Sequence, residues 1–184
     1  MNTYINSYNV LDHLKNLSEY EIQEYYKKNS IPSAVAGTHW SGDFNLGTLI
    51  RSANFFGYKE VFYVGGRKHY DRRSTVGTHH YTPIRFIQEE HEFIELVEGR
   101  YFLICVENNT LFNSVSLFDD KVFENINLPP LFLFGEEQKG ISDYLLGMSD
   151  RIITIPAFGS VRSLNVGSCA SVVMAMYRQY LMKN

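Results

Sequence analysis

The chain has 184 residues, enough for one ordinary domain with a short appendage. Hydrophobic residues make up 45% and charged residues 20%, which excludes wholesale disorder and allows a proper core. A formal net charge of −3 argues against nonspecific nucleic-acid binding through bulk charge, while leaving room for a local basic patch. The 13 Tyr, 13 Phe and one Trp are too many rings for the surface of a chain this size, so most belong to core or interface. Cys105 and Cys169 each sit inside an apolar run, the pattern of free buried thiols in a reducing compartment rather than of a disulfide framework. No charged start leads into an apolar signal region, and no apolar run reaches membrane-span length. The expectation is a soluble, cytoplasmic protein.

Ser18-Glu19-Tyr20-Glu21 fits a capping box and predicts a short polar helix to about residue 28. Its apolar stripe is thin, so it must pack on something else, and Ile31-Pro32 breaks it. From there strands and helices alternate. Residues 33–37 read as a short strand. Residues 45–56 read as a helix with Leu46, Leu49, Ile50, Ala53 and Phe56 on one face and Gly57 as its stop. A strand at 60–64 precedes the basic stretch 65–73; a strand at 81–86 and a helix at 89–97 follow. The apolar runs 101–106 and 131–134 are short enough for buried strands. A short helix at 141–148, a strand at 151–156 and a last helix at 164–182 complete the chain; Val166, Cys169, Ala170, Val173 and Tyr177 follow helical spacing in the last. Asn108-Asn109 and residues 125–130 read as loops without a functional signal. The alternation predicts an α/β domain with a mainly parallel sheet at 33–184, preceded by a helical N-terminal extension at 1–32. That extension is open to three readings: a binding surface, part of an interface, or a cap on the sheet, its mixed charge favouring packing.

Three segments carry candidate chemistry. In the first, 45–57, Gly47, Arg51 and Asn54 share one edge of a helix. A glycine inside a helix costs up to about 1 kcal/mol relative to alanine, so it usually permits a close approach. Arg51 beside that gap can grip a phosphate through its planar fork; a surface arginine beside a packing glycine satisfies the same spacing. In the second, 131–142, a buried strand runs into a turn flanked by Gly135 and Gly140, where ligands bind in open α/β sheets. It matches neither a Walker loop nor a dinucleotide fingerprint, and an ordinary turn reads equally well. In the third, 155–168, a strand ends at Pro156, a small-residue loop follows, and a long helix begins near Ser163 or Asn165, which simple N-capping also explains.

Together, and in this order, the three segments resemble the motifs of the SpoU/TrmH branch of the SPOUT RNA methyltransferases. The matching positions are Asn45, Gly47, Arg51, Ala53, Phe56 and Gly57 in the first, and Gly135, Glu137 and Gly140 in the second. In the third they are Ile155, Pro156, Gly159, Ser163, Leu164, Asn165 and Val166. The resemblance covers about residues 33 to 184. It implies an α/β knot fold: a mainly parallel sheet with helices on both faces and a C-terminal deep trefoil knot, assembled as a homodimer whose sites borrow from both subunits. It implies transfer of a methyl from S-adenosylmethionine to a ribose 2′-hydroxyl of tRNA or rRNA, with S-adenosylhomocysteine as product and no metal.

By the same resemblance, Leu133, Phe134, Gly135, Glu137 and Gly140, then Ile155, Pro156 and Gly159, then Ser163, Leu164 and Asn165 surround the cofactor. Arg51 activates the hydroxyl with help from an RNA phosphate; with a guanidinium pKa above about 12, clamping and ordering is the milder role than acting as base. Asn45 is expected to orient Arg51 or the substrate, Glu137 to support the cofactor loop, and Ser163 and Asn165 to complete the catalytic site. The chain departs from the family pattern at Arg162, where an acidic residue is frequent, and at Gly167-Ser168-Cys169. Arg67, Lys68, Arg72 and Arg73, with Tyr70, form a basic stretch that reads as RNA-binding, against a plain solvated loop. His79-His80 fits structural histidines better than proton transfer. Two other readings stand beside the main one: a catalytically silent knotted RNA-binding dimer, and a SPOUT enzyme methylating a base.

Overall fold

The computed structural model describes residues 9–40, 42–65, 70–108 and 111–184. The elements are α1 (Glu19–Asn29), β1 (Ile31–Thr38), α2 (Asp43–Phe56), β2 (Tyr58–Val64), α3 (Arg72–Thr75), β3 (Ile84–Ile87) and α4 (Glu90–Val97). They continue with β4 (Phe102–Val106), β5 (Val115–Ser116), β6 (Pro130–Phe134), α5 (Asp143–Gly147), β7 (Arg151–Thr154) and α6 (Val166–Lys183). Short 3-10 turns lie at Asp12–Leu14 and Thr78–His80. The seven strands form one sheet in the order β3-β2-β1-β6-β4-β7-β5. Every pairing is parallel.

An all-parallel sheet needs cover on both faces, and its central strands are accordingly apolar throughout. Side chains alternate along β6: Phe132 and Phe134 enter one apolar layer, Leu131 and Leu133 the other. The first layer is covered by α2, through Leu46, Leu49 and Ile50, and by α6, through Val173, Met174 and Tyr177. The second is covered by α4, through Phe93, Ile94 and Val97, and by α5, through Leu145 and Leu146. Burying each such side chain contributes about 1.5–3 kcal/mol, so the two layers together hold the sheet.

α1 begins at a capping box in which the Ser18 hydroxyl accepts from the Glu21 N–H and the Glu21 carboxylate accepts from the Ser18 N–H. Its thin stripe, Ile22 and Tyr26, is buried. The Tyr26 hydroxyl donates to the carbonyls of Ala53 and Tyr58, and the Gln23 amide donates to the His80 carbonyl at 2.8 Å. The helix is thereby fastened to the carboxyl end of α2 and to the turn after α3. α2 stops at Gly57, whose left-handed φ of 69° lets its N–H reach back to Ala53 and Asn54.

Several boundaries differ from expectation. β1 starts at Ile31 and includes Pro32, tolerated at a strand's first residues because it owes no hydrogen bond there. β3 starts at Ile84 because the 3-10 turn claims the chain up to Tyr81. α5 is confined to five residues capped by Ser142, and α6 begins at Val166 with Asn165 as its cap. α3 and the edge strand β5 carry no periodic signal and were not expected. Among the described residues, no helix is long and apolar enough to cross a membrane.

Candidate active site

Parallel strands bring their carboxyl ends to one edge, so the loops after β4, β6 and β7 meet there. They enclose a cavity of about 440 Å³, within the range of small-ligand sites. At the end of β6 the chain turns at Gly135, and Glu136 and Gly140 pair through N–H···O bonds of 3.1 and 2.9 Å. A Cβ on Gly135 would come within 2.7 Å of the Gly140 carbonyl oxygen. Gly140 has φ of +73°, and a Cβ there would overlap the Glu107 carboxylate. Both glycines are therefore demanded by close approach.

Cross-ties fix the loops relative to one another. Trp40 Nε1, after β1, donates to the Gly135 carbonyl at 2.8 Å. Glu107, after β4, accepts from the Ile141 N–H at 3.0 Å. Asn108 and Ile155 exchange two hydrogen bonds of 2.8 Å each. Val106, Phe134, Ile155, Leu164 and Val166 give the cavity apolar walls, while Glu107, Glu136 and Glu137 give it negative charge.

The three motif segments join in one run of hydrogen bonds. The Asn45 amide nitrogen donates to Glu137 Oε1, and the Asn165 amide nitrogen donates to Asn45 Oδ1 at 3.0 Å. Asn165 Oδ1 accepts from the Ser168 N–H at 3.2 Å and so caps α6. Asn45 thus holds Glu137 and Asn165 rather than Arg51. Six residues further along α2, about 9 Å up its axis, Arg51 is exposed and makes no hydrogen bond or ion pair among the described residues.

Gly47 is buried beneath α3: a Cβ there would overlap the Ser74 hydroxyl and lie 3.1 Å from the Asp71 carbonyl oxygen. The helical glycine therefore lets α3 rest on α2, which sets Arg72 and Arg73, both exposed, beside the amino half of that helix. Arg73 pairs with Asp71 at 2.6 Å and lies 5.9 Å over the Phe44 ring. Gly167 has a similar cause, since a Cβ there would sit 3.0 Å from Thr48 Cγ2, where α6 crosses α2. Nearby, the hydroxyls of Ser52 and Ser171 meet at 2.8 Å.

Of the residues expected at the cofactor, Phe134, Gly135, Glu137 and Gly140 line one side of the cavity. Ile155, Ser163, Leu164 and Asn165 line the other. Leu133 instead turns into the α4/α5 layer and is fully buried, and Pro156 and Gly159 lie outside the lining. Arg67 and Lys68 fall outside the described residues. Arg162, noted as a departure, lines the cavity with Lys139.

Glu107 and Asn108 belong to none of the three motif segments, and Asn108-Asn109 carries only a loop signal. The available signal was position alone: both directly follow a buried strand. Cys169 stands half-buried in the wall, and burial, followed by Glu107, pushes its thiol up to about 12. His79 accepts or donates at Thr75 Oγ1 (2.6 Å) away from the cavity, and burial holds its imidazole below the usual range. Among the described residues, no group of three or more His, Cys, Asp or Glu is placed to hold a metal ion.

Residues 34–175 match the family described as the SpoU rRNA Methylase family. The tRNA (guanosine(18)-2′-O)-methyltransferase of Thermus thermophilus is 29% identical over 135 residues, spanning 71% of this chain and 66% of that one. The enzyme of the same name from Escherichia coli K12 is 26% identical over 135 residues, spanning 71% and 56%. The chain therefore covers just under two thirds, or less, of these relatives' lengths. Among solved structures, the TrmH/SpoU tRNA modifying enzyme of A. aeolicus superposes with a TM-score of 0.75 at 18% identity, covering 90% of this chain and 83% of that one. AviRb from Streptomyces viridochromogenes, solved with AdoMet, gives 0.70 at 22%, covering 84% and 59%. At such identities the structures establish a shared fold. A match that runs unbroken from β1 into α6 makes this chain a member of the SpoU rRNA methylase family.

Proposed function

We propose that the chain is an S-adenosylmethionine-dependent methyltransferase acting on a ribose 2′-hydroxyl of tRNA or rRNA. The observation that carries this reading is the Glu137–Asn45–Asn165 run, which joins all three motif segments at the mouth of the cavity. The residues present fit the cofactor: apolar walls suit an adenine, the backbone of the 135–140 turn suits its polar edge, and three carboxylates against the two cations Lys139 and Arg162 leave an excess of negative charge for a sulfonium. When bound, S-adenosylmethionine supplies a methyl on a positively charged sulfur, already activated for transfer, with S-adenosylhomocysteine as the by-product. No metal is required of the chain for that chemistry.

Arg51 clamps an RNA phosphate through its fork and orders the neighbouring 2′-hydroxyl for attack, the hydroxyl's proton passing to solvent as the methyl arrives. Asn45, Glu137 and Asn165 hold the wall facing that hydroxyl, and Ser163 adds its own hydroxyl there. Arg72 and Arg73 on α3 contact phosphates further along, together with Arg67 and Lys68, and set the register of the RNA. The relatives' names, tRNA ribose methyltransferases, support both the ribose target and tRNA as the first RNA to try.

Residues 33–184 constitute the methyltransferase unit, with 1–32 as an extension; the family match at 34–175 supports that division. The chain acts as a homodimer: Phe158, Val161 and Leu164 are exposed beside the cavity, an apolar rim that a second copy would cover. A deep trefoil knot at the C-terminal segment is what membership of the family implies for this chain. Cys105 and Cys169, both free thiols, suit a cytoplasmic setting.

Incubation with methyl-labelled cofactor and tRNA or rRNA transcripts tests the reaction. Label should enter one RNA and make one linkage resistant to alkali, which cleaves only beside a free 2′-hydroxyl. Label in an alkali-sensitive linkage would make the protein a base methyltransferase. RNA binding without label would make it the silent dimer.

A further inference from the structure

A second cavity lies at the other end of α2. It measures about 380 Å³ and opens between α1 and the carboxyl end of α2. We propose that it holds an unpaired base of the substrate RNA, on a nucleotide adjacent to the one whose ribose is methylated. The inference rests on the RNA reading above and extends it to how the target is chosen.

Beside the aliphatic Val10, Leu11, Leu14 and Ile22, rings and amides line this cavity, the two kinds of group that read single-stranded RNA. Rings come from Tyr25 of α1 and Phe55 of α2, with Tyr81 after the 3-10 turn buried against Leu14 and Ile22 at the cavity's inner end. Amides come from Asn9, Asn29 and Asn54. The Asn54 nitrogen is engaged with Thr82 Oγ1 at 3.0 Å, which fixes the amide and leaves Oδ1 without a donor among the described residues. Among the described residues, no lysine or arginine lines the cavity. The cation stands outside it: Arg51 precedes Phe55 by four residues, so the two share one face of α2 about 6 Å apart along the axis. A phosphate held by Arg51 leaves the attached base within reach of rings that can stack on it and amides that can read its edge.

Phe55 carries the argument furthest. It is 81% exposed, although its neighbours on the core side of α2, Leu49, Ile50 and Ala53, are wholly buried. Its ring meets Phe56 edge-on at 5.0 Å, which leaves a face open. Tyr26, by contrast, spends its hydroxyl on the carbonyls of Ala53 and Tyr58 and so builds the cavity floor. The fastening of α1 to α2 then has a functional sense, because it forms one wall of the base site.

Two measurements test the proposal together. The first is an NMR titration of the full chain with AMP, GMP, CMP and UMP, following the side-chain resonances of Phe55, Tyr25 and Tyr81. They should shift for at least one nucleotide, and those of Tyr25 and Tyr81 should stay still in Phe55→Ala. The second is steady-state methylation, in which Phe55→Ala should raise KM for RNA about tenfold, as loss of one base–aromatic stack does, with kcat and cofactor affinity unchanged. Because Phe55 is exposed, this variant keeps its fold, which its thermal transition checks. Resonances unmoved by all four nucleotides would overturn the base site, whether or not the chain methylates RNA. So would an unchanged KM in an active variant, or a loss of dimer in step with the loss of RNA affinity, which would make Phe55 an interface between copies. Shifts at the three rings in a wild type that methylates no RNA would leave the base site standing and bring down the proposed reaction instead.

Discussion

Arg51 is exposed and unpaired among the described residues, whereas Asn45 is bonded at both ends of its amide. The contrast gives them different work. Arg51→Ala should abolish methylation while calorimetry finds cofactor affinity unchanged, and Arg51→Lys should not restore turnover, because a point charge lacks the fork that grips a phosphate. Asn45→Ala should instead weaken cofactor binding about tenfold, or ~1.4 kcal/mol, by leaving the Glu137 carboxylate and the Asn165 amide without their shared partner. Equal loss of cofactor affinity in both variants would contradict the division. Gly140 gives a stability test. At φ of +73° and against the Glu107 carboxylate, a side chain there is strained twice. Gly140→Ala should cost about 1–3 kcal/mol in denaturant unfolding, together with loss of cofactor binding.

At the scale of elements, α2 and α6 share the site because their crossing is close. Gly167→Ala sets helix propensity, worth up to about 1 kcal/mol in favour of alanine, against a 3.0 Å contact with Thr48 Cγ2. The substitution should therefore gain more stability in a Thr48→Ser background than in the wild type, a coupling that a double-mutant cycle of unfolding free energies would read. Strict additivity would mean that the crossing is loose. α2, α4 and α6 were legible in the sequence because ten or so residues of helical period leave no other reading, and Gly57 marked an end by its left-handed φ. α3 and β5, at four and two residues, are too short to show a period; neighbours place them. The motif residues were legible by type and order, yet their bonding was not. The sequence leaves Asn45 to orient Arg51 or the substrate and gives Asn108 no partner, because contacts across 92 or 47 residues leave no local trace.

For the whole molecule, the parallel sheet explains why three segments far apart in sequence make one site: each follows, or packs over, a strand's carboxyl end. The N-terminal helix enters the same account through α3 and the 3-10 turn, where the histidines sit. Burial, then His80 and Arg72, hold the His79 imidazole below its ordinary range, with Glu19 opposing. The unfolded chain thus takes up that proton more readily than the folded one. The stability this confers is present above the ordinary histidine pKa of about 6.5 and is lost as pH falls through the folded value. Thermal transitions between about pH 7.5 and pH 5.5 should fall more steeply for the wild type than for His79→Gln; equal slopes would remove the residue from the balance. The central claim is the ribose methyl transfer itself, and its most direct test is nucleoside mass spectrometry of tRNA and rRNA from cells with and without the gene. One 2′-O-methylnucleoside should vanish with the gene and return with the wild-type chain but not with Arg51→Ala. An unchanged set of 2′-O-methylnucleosides in both RNA pools, or full restoration by Arg51→Ala, would contradict the account.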